Sequence, residues 1–357
     1  MAPEEQTPGG GADEAADDTR GPAFLGVLHT GDCRIRGRAL PIGEGVCIGR
    51  VEGADVSLAI DDRLLSRRHA TIMPVSGSPL CEVIDHDSRN GSYVDGERVR
   101  RCRAAPGAVI RLGVSLFVLT TDGSEQEAAA AGYGEDRDAF LGTSEPFRRL
   151  CQELELAAKK STPVLLVGEP GSGKSMSASH LHRLRGNSGS LVMVTCGSGA
   201  RLRPVDLLGG VDPEHAGEAP LEGFLAMAGG GSLLLDEIDL LDPGLQGPLL
   251  EILRAGRYRP VGSEEDRPLA AFVVASTSAN TEAAVEAGVF SRELAEVFGD
   301  AIEVPSLHQR QTDIPLLGQH FLHLEEPRRR LDWSVTFLEK LLLYDWPQNV
   351  RELRTVM

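Results

Sequence analysis

The stretch PVLLVGEPGSGKS, residues 163–175, is an apolar run that turns through glycines and ends in Gly173-Lys174-Ser175. A continuous apolar run bounded by a Gly-rich turn suits a strand buried on both faces of a parallel sheet, with a helix to follow. The spacing Gly168-x-x-x-x-Gly173-Lys174-Ser175 is that of a P-loop. Glycines at 168, 171 and 173 let consecutive backbone N–H groups, that of Ser172 among them, point inward around a phosphate. Lys174 can then reach the outer phosphates, and the Ser175 hydroxyl can sit on magnesium. A second apolar run, SLLLDE at 232–237, ends in Asp236 and Glu237, the acid pair wanted to hold that metal and polarise a water. Lys174 and Asp236 lie 62 residues apart, room for an intervening strand and helix. The two runs predict an α/β domain that binds a nucleotide with magnesium.

Length and charge agree with this. A chain of 357 residues has room for two domains. Its net charge of −17 argues against a broad nucleic-acid-binding face. The six cysteines, at 33, 47, 81, 102, 151 and 196, form no CxxC pair and no metal-like spacing. They read as reduced thiols of a cytoplasmic protein. With no N-terminal signal and no apolar run of membrane length, neither secretion nor a membrane span is expected.

Three shifts in composition mark the organisation. Residues 1–22 hold six acidic residues against one arginine and are expected to be a disordered acidic tail, solubilising more readily than autoinhibitory. Residues 23–121 carry short β-type runs: VCI at 46–48, VSLAI at 56–60, CEVI at 81–84, VIRL at 109–112 and SLFVLT at 115–120. Turn residues separate them at the spacing of an all-β sandwich. Residues 122–138, polar and rich in Ala and Gly, read as a flexible linker. From 139 onward helical and strand patterns alternate, and the runs VLLV, LVMV, LLL and AFVVAS predict strands buried on both faces.

The β-rich segment has its own constellation: Gly49-Arg50, then LLSRRHA at 64–70, then DHDSRNGSYVDG at 85–96. It resembles the forkhead-associated (FHA) domain, a β-sandwich whose loops at one end bind phosphothreonine peptides. A phosphate dianion calls for a charge-assisted fork plus neutral donors, which these residues supply. The resemblance implies phosphopeptide contacts from Arg50, Ser66, Arg67 and Asn90, with Ser88 beside them. It also implies that Gly49, His69 and Gly91 shape the loops, with His69 structural rather than a ligand.

From Phe140 onward the chain resembles the central AAA+ domain of bacterial sigma-54-dependent transcription activators. The matching segments are FLGTSEPFRRL at 140–150, GEPGSGKS, DLLGG at 206–210, GGSLLLDEIDLL at 230–241, VPSLHQRQTDIPLL at 304–317 and YDWPQNVRELR at 344–354. The resemblance implies an ATP site with magnesium on Ser175 and Asp236 and Glu237 as the catalytic acid. It further implies a first sensor at Thr277-Ser278 and a second at Arg351. The expected layout is a nucleotide-binding subdomain over 139–307 and an incomplete helical lid over 308–357.

Several positions depart from the family pattern. The substrate-facing loop reads GVDPEHAGEAPLEG at 210–223 and lacks the Phe-Thr pair that grips the sigma factor. Thr195 stands where the family has an asparagine that poises the catalytic glutamate. FSRELAEVF at 290–298 places Ser291 and Val297 at the two arginine-finger positions, leaving Arg292 as the substitute. A finger supplied by a neighbour is worth about 10³–10⁵ in rate in related systems. No helix-turn-helix pattern follows before Met357. The expectation is therefore a chain with no DNA-binding domain of its own, either cut short or acting without one.

Two functions follow from the sequence. In the first, the chain is an ATP-hydrolysing transcription regulator that forms a ring, acts on sigma-54 RNA polymerase and is controlled through a phosphothreonine-containing protein. In the second, it is a phosphothreonine-binding scaffold that binds ATP, has lost efficient hydrolysis and sigma-factor remodelling, and acts by competing with active relatives or by joining mixed rings.

Overall fold

The computed structural model describes residues 24–32, 34–53, 55–121, 140–197, 202–212, 219–327 and 333–357; the acidic tail and the linker lie outside them. The described residues divide into two compact units, one within 24–121 and 334–343, the other within 140–327, 333 and 344–357.

The first unit is built from short strands: β1 (Phe24–His29), β2 (Ala39–Pro41), β3 (Val46–Gly49), β4 (Leu58–Ala59), β5 (Ala70–Pro74), β6 (Cys81–Asp85), β7 (Ser92–Val94), β8 (Glu97–Val99), β9 (Arg101–Ala104), β10 (Val109–Leu112) and β11 (Ser115–Thr120). They form two sheets, ordered β2-β1-β11-β10-β7-β8 and β4-β3-β5-β6-β9. Period-2 alternation sends Leu25 and Val27, Ile110 and Leu112, and Phe117 and Leu119 from one sheet into the shared core. Ile48, Ile72, Cys81 and Val83 meet them from the other. This is the expected β-sandwich. The run at 56–60 yields only the two-residue β4, paired parallel to β3. Helix Val335–Leu343 also belongs to this unit, and Arg111 Nε donates to both carboxylate oxygens of its Glu339 at 2.9 and 2.8 Å.

The second unit holds a parallel sheet of β12 (Val164–Val167), β13 (Leu191–Thr195) and β14 (Ser232–Asp236), with a hairpin of β15 (Arg257–Tyr258) and β16 (Arg267–Pro268), then β17 (Phe272–Thr277) and β18 (Ile302–Glu303). The sheet order is β13-β14-β17-β12-β18, so the strand that feeds the P-loop lies inside the sheet. Its apolar runs split by parity between two cores. Leu165, Leu233, Leu235, Val273 and Ala275 enter one, and Val164, Leu166, Leu234, Phe272 and Val274 the other. A sheet covered on both faces requires runs of this kind. β13 is the exception: it is an edge strand, and Met193 is 52 % exposed, so the expected burial on both faces fails there.

Candidate functional site

The P-loop geometry follows from its glycines. Gly171 and Gly173 have φ of +74° and +115°, which only glycine adopts without strain. A Cβ on Gly171 would lie 2.1 Å from the Gln348 carbonyl oxygen. Helix Lys174–Arg185 starts directly after the turn, aiming its unsatisfied N–H groups at the loop.

Lys174 is 8 % exposed. Its Nζ donates to Gly168 O (2.8 Å), Glu169 O (3.1 Å) and Ser278 Oγ (2.7 Å), all uncharged acceptors. Burial pulls its ammonium below the ordinary lysine range, and the charges of Asp236 and Glu237 oppose that fall. Asp236 leaves the end of β14 and accepts a hydrogen bond from the Ser276 hydroxyl, which fixes its carboxylate. Glu237 follows at φ +57°, a left-handed conformation that costs a non-glycine residue about 1 kcal/mol. Thr277 is buried and donates to Asp239 Oδ1 at 2.5 Å. Among the described residues no hydrogen bond links Thr195 to Glu237.

A cavity of about 320 Å³ gathers Gly171, Ser172, Gly173, Lys174, Ser175, Asp236, Glu237, Ser278 and Arg351. Gly168, whose carbonyl accepts from Lys174 Nζ, and Thr277 do not line it. Arg292 is exposed at the first turn of helix Arg292–Val297 and lies off this cavity. Ser291 is the N-cap of that helix, accepting from Leu294 N–H at 3.2 Å. The apolar side of the cavity is Phe140, Phe147, Leu150, Leu317 and Phe321.

Four residues of this site had no assigned role in the sequence. Arg310, 5 % exposed, donates from Nη2 to Ser172 O at 2.9 Å, and Arg354 lines the cavity beside Arg351. Asn349, left-handed at φ +53°, donates to Glu169 Oε2 (2.9 Å) and Pro170 O (3.0 Å) and accepts from Leu307 N–H (2.6 Å). Asp313 accepts from Thr143 N–H (2.7 Å), Ser144 N–H (2.9 Å) and Ser144 Oγ (2.7 Å), holding the 140–144 segment at the cavity rim. All four lie inside segments that matched as strings. Their partners are distant in sequence, which only the fold brings near.

The residues present fit a nucleotide. Ser172 Oγ is buried and has no hydrogen-bond partner among the described residues. Lys174 is a buried cation surrounded by neutral oxygens, an arrangement that a phosphate would complete. No cluster of three or more His, Cys, Asp or Glu side chains suited to a metal occurs among the described residues.

In the first unit, a cleft of about 490 Å³ is lined by Arg50, Arg63, Leu64, Leu65, Ser66, Arg67, Arg68, Arg89 and Asn90. Two loops meet there: Arg89 N–H donates to Ser66 Oγ (3.1 Å) and Asn90 Nδ2 to Leu64 O (2.6 Å). Gly49 is required by close approach, since a Cβ would lie 2.0 Å from Arg67 O. His69, fully buried, accepts from Ser66 N–H at Nδ1 (3.1 Å), so its proton sits on Nε2 and is donated to Gly91 O (3.2 Å). Burial pulls its pKa below the ordinary histidine value. Ser88 is not brought to the cleft: it is buried, with its hydroxyl on Asp85 Oδ2 at 2.5 Å.

The sigma-54 interaction domain family matches residues 140–298, the AAA+ ATPase lid domain family residues 308–357, and the FHA domain family residues 46–113. The chain joins an FHA domain to a sigma-54 activator-type AAA+ domain. It is 34 % identical over 230 residues to the transcriptional regulatory protein XylR of Pseudomonas putida, covering 61 % of this chain and 40 % of that one. With the transcriptional regulatory protein GlrR of Escherichia coli K12 it shares 30 % identity over 250 residues, 68 % and 56 % of the two chains. The chain thus spans about half the length of these relatives. NtrX from Brucella abortus in complex with ADP superposes with a TM-score of 0.55 at 26 % identity, covering 62 % of this chain and 50 % of that one. NtrX has also been solved in complex with ATP (TM-score 0.53, 25 % identity, 64 % and 53 % covered). No described helix of the FHA–AAA+ chain is long and apolar enough to cross a membrane.

Proposed function

We propose that this chain is a cytoplasmic, sigma-54-type transcription regulator that binds ATP with magnesium in its AAA+ domain and takes its signal by docking a phosphothreonine-containing protein on its FHA domain. The cavity that gathers Lys174, Ser175, Asp236, Glu237 and Arg351 carries this reading. Bound there, magnesium and ATP supply a charge-neutralised, transferable phosphoryl group. The chain's own residues hold and orient it. Lys174 and the P-loop N–H groups bind phosphate oxygens, and Ser175 and Asp236 hold the metal. Glu237 takes a proton from the attacking water, and Ser278 orients it. Arg351 reaches the phosphates from the lid side, Arg354 adds a second guanidinium there, and the phenylalanines take the base. Sigma-54 RNA polymerase is the proposed target, and a homo-oligomeric ring the proposed assembly.

A second reading is favoured by one observation. Ser291, at a finger position, is consumed as a helix cap, and Arg292 is the exposed arginine next to it. If Arg292 does not complete a neighbouring site, the chain is a nucleotide-loaded phosphothreonine scaffold that joins rings of relatives. Steady-state ATP hydrolysis across a protein concentration series, with Glu237→Gln as control, separates the two. Turnover per chain that rises with concentration and vanishes in Glu237→Gln supports the motor. Turnover equal to that of the variant at every concentration supports the scaffold.

A further inference from the structure

We infer that the FHA cleft selects a polyanionic ligand, a phosphothreonine flanked by acidic side chains, with Arg63, Arg68 and Arg89 as the specificity-determining residues. This rests on the phosphothreonine reading of the same cleft. Five guanidinium groups line it, those of Arg50, Arg63, Arg67, Arg68 and Arg89, and no carboxylate does. All five residues are exposed. Among the described residues, none of the five guanidinium groups has a hydrogen-bond or ion-pair partner.

The contrast within the same unit is sharp. Arg34 is paired with Asp32 at 2.6 Å and Arg101 with Glu82 at 2.8 Å. The whole chain carries 53 acidic against 36 basic residues, so carboxylates to neutralise the cleft are plentiful, yet none lines it. A phosphothreonine brings a charge of about −2 at neutral pH. That balances Arg50 and Arg67 and leaves three positive charges at the rim with nothing to meet.

The loop ties set where those charges stand. Arg63 and Arg68 bracket Ser66 along one loop, and Arg89 is bound to Ser66 through its own N–H. A peptide seated with its phosphate near Ser66 would therefore pass guanidinium groups close to the phosphorylated residue. Planar guanidinium forks suit carboxylates, which they bind through two parallel hydrogen bonds. Apolar or basic neighbours would gain nothing there, and basic ones would be repelled.

The test is fluorescence anisotropy on the full chain with two short phosphothreonine peptides of identical length. One has alanine and the other aspartate at the positions flanking the phosphorylated residue. Exposed ion pairs are individually weak, so the three together should favour the acidic peptide by about tenfold. The preference should shrink steeply between about 50 mM and about 500 mM salt. The triple variant Arg63→Ala/Arg68→Ala/Arg89→Ala should bind the two peptides alike, its preference for the acidic one lost. Arg50→Ala should lose both. Equal affinity of the two peptides for the unaltered chain would overturn this inference and leave phosphothreonine docking intact. Binding of neither peptide would remove phosphothreonine docking itself. Displacement of the acidic peptide by duplex DNA at matched phosphate concentration would also overturn it, since the cleft would then be reading backbone phosphates.

Discussion

Single residues in this molecule are placed by what they lack as much as by what they touch. Lys174 is buried among neutral oxygens, and five arginines at the FHA cleft stand without carboxylates. His69 is the opposite case, a histidine fully satisfied in its neutral form. Its folded pKa lies below the unfolded value of about 6.5, so protons bind the unfolded chain first as the pH falls. The stability this residue contributes is fully present above about pH 6.5 and is lost below it, down to the folded pKa. Between pH 7.5 and 5.5, the unfolding transition of the FHA unit should lose up to about 1 kcal/mol more in the natural chain than in His69→Gln. Identical losses in chemical denaturation would contradict the neutral assignment. Its structural role was legible because the string LLSRRHA fixes its place in a known loop. Ser88 was less legible: sharing a loop with the cleft residues did not reveal that Asp85 captures its hydroxyl.

At the level of elements, apolar runs and Gly-rich turns were enough to place β12, β14 and β17 and the P-loop between strand and helix. Both follow from local sequence, since parity burial and positive-φ turns leave direct traces. In the FHA unit, strands β1, β2, β5 and β7 to β9 were not singled out. Gly26 interrupts the first, where even a Cβ would lie 3.1 Å from Val118 Cγ1, and ERV and RCRA are polar, half-exposed strands with no apolar period. The edge position of β13 was hidden because LVMV is as apolar as its buried neighbours. Long-range ties are hidden for the same reason. Asp313 holds the 140–144 segment across about 170 residues, and it is fully buried. Replacing it with alanine leaves several buried donors unpaired, each costing about 1–3 kcal/mol. Asp313→Ala should therefore destabilise the AAA+ unit by about 3 kcal/mol in denaturant unfolding of the full chain. A loss below about 1 kcal/mol would show that the segment is held by something else.

The whole molecule carries an arginine-lined cleft on one unit and the P-loop cavity on the other. Each rests on a glycine that the backbone geometry demands, Gly49 in one and Gly171 in the other. The central claim is that the AAA+ unit binds nucleotide through its own P-loop, since both the motor and the scaffold reading depend on it. Isothermal titration of magnesium-ATP into the natural chain and into Lys174→Ala tests it most directly. The account predicts one nucleotide per chain and an affinity lower by about a hundredfold or more in the variant, because a buried charge-assisted contact to phosphate is lost. Equal affinities in the two proteins would contradict it.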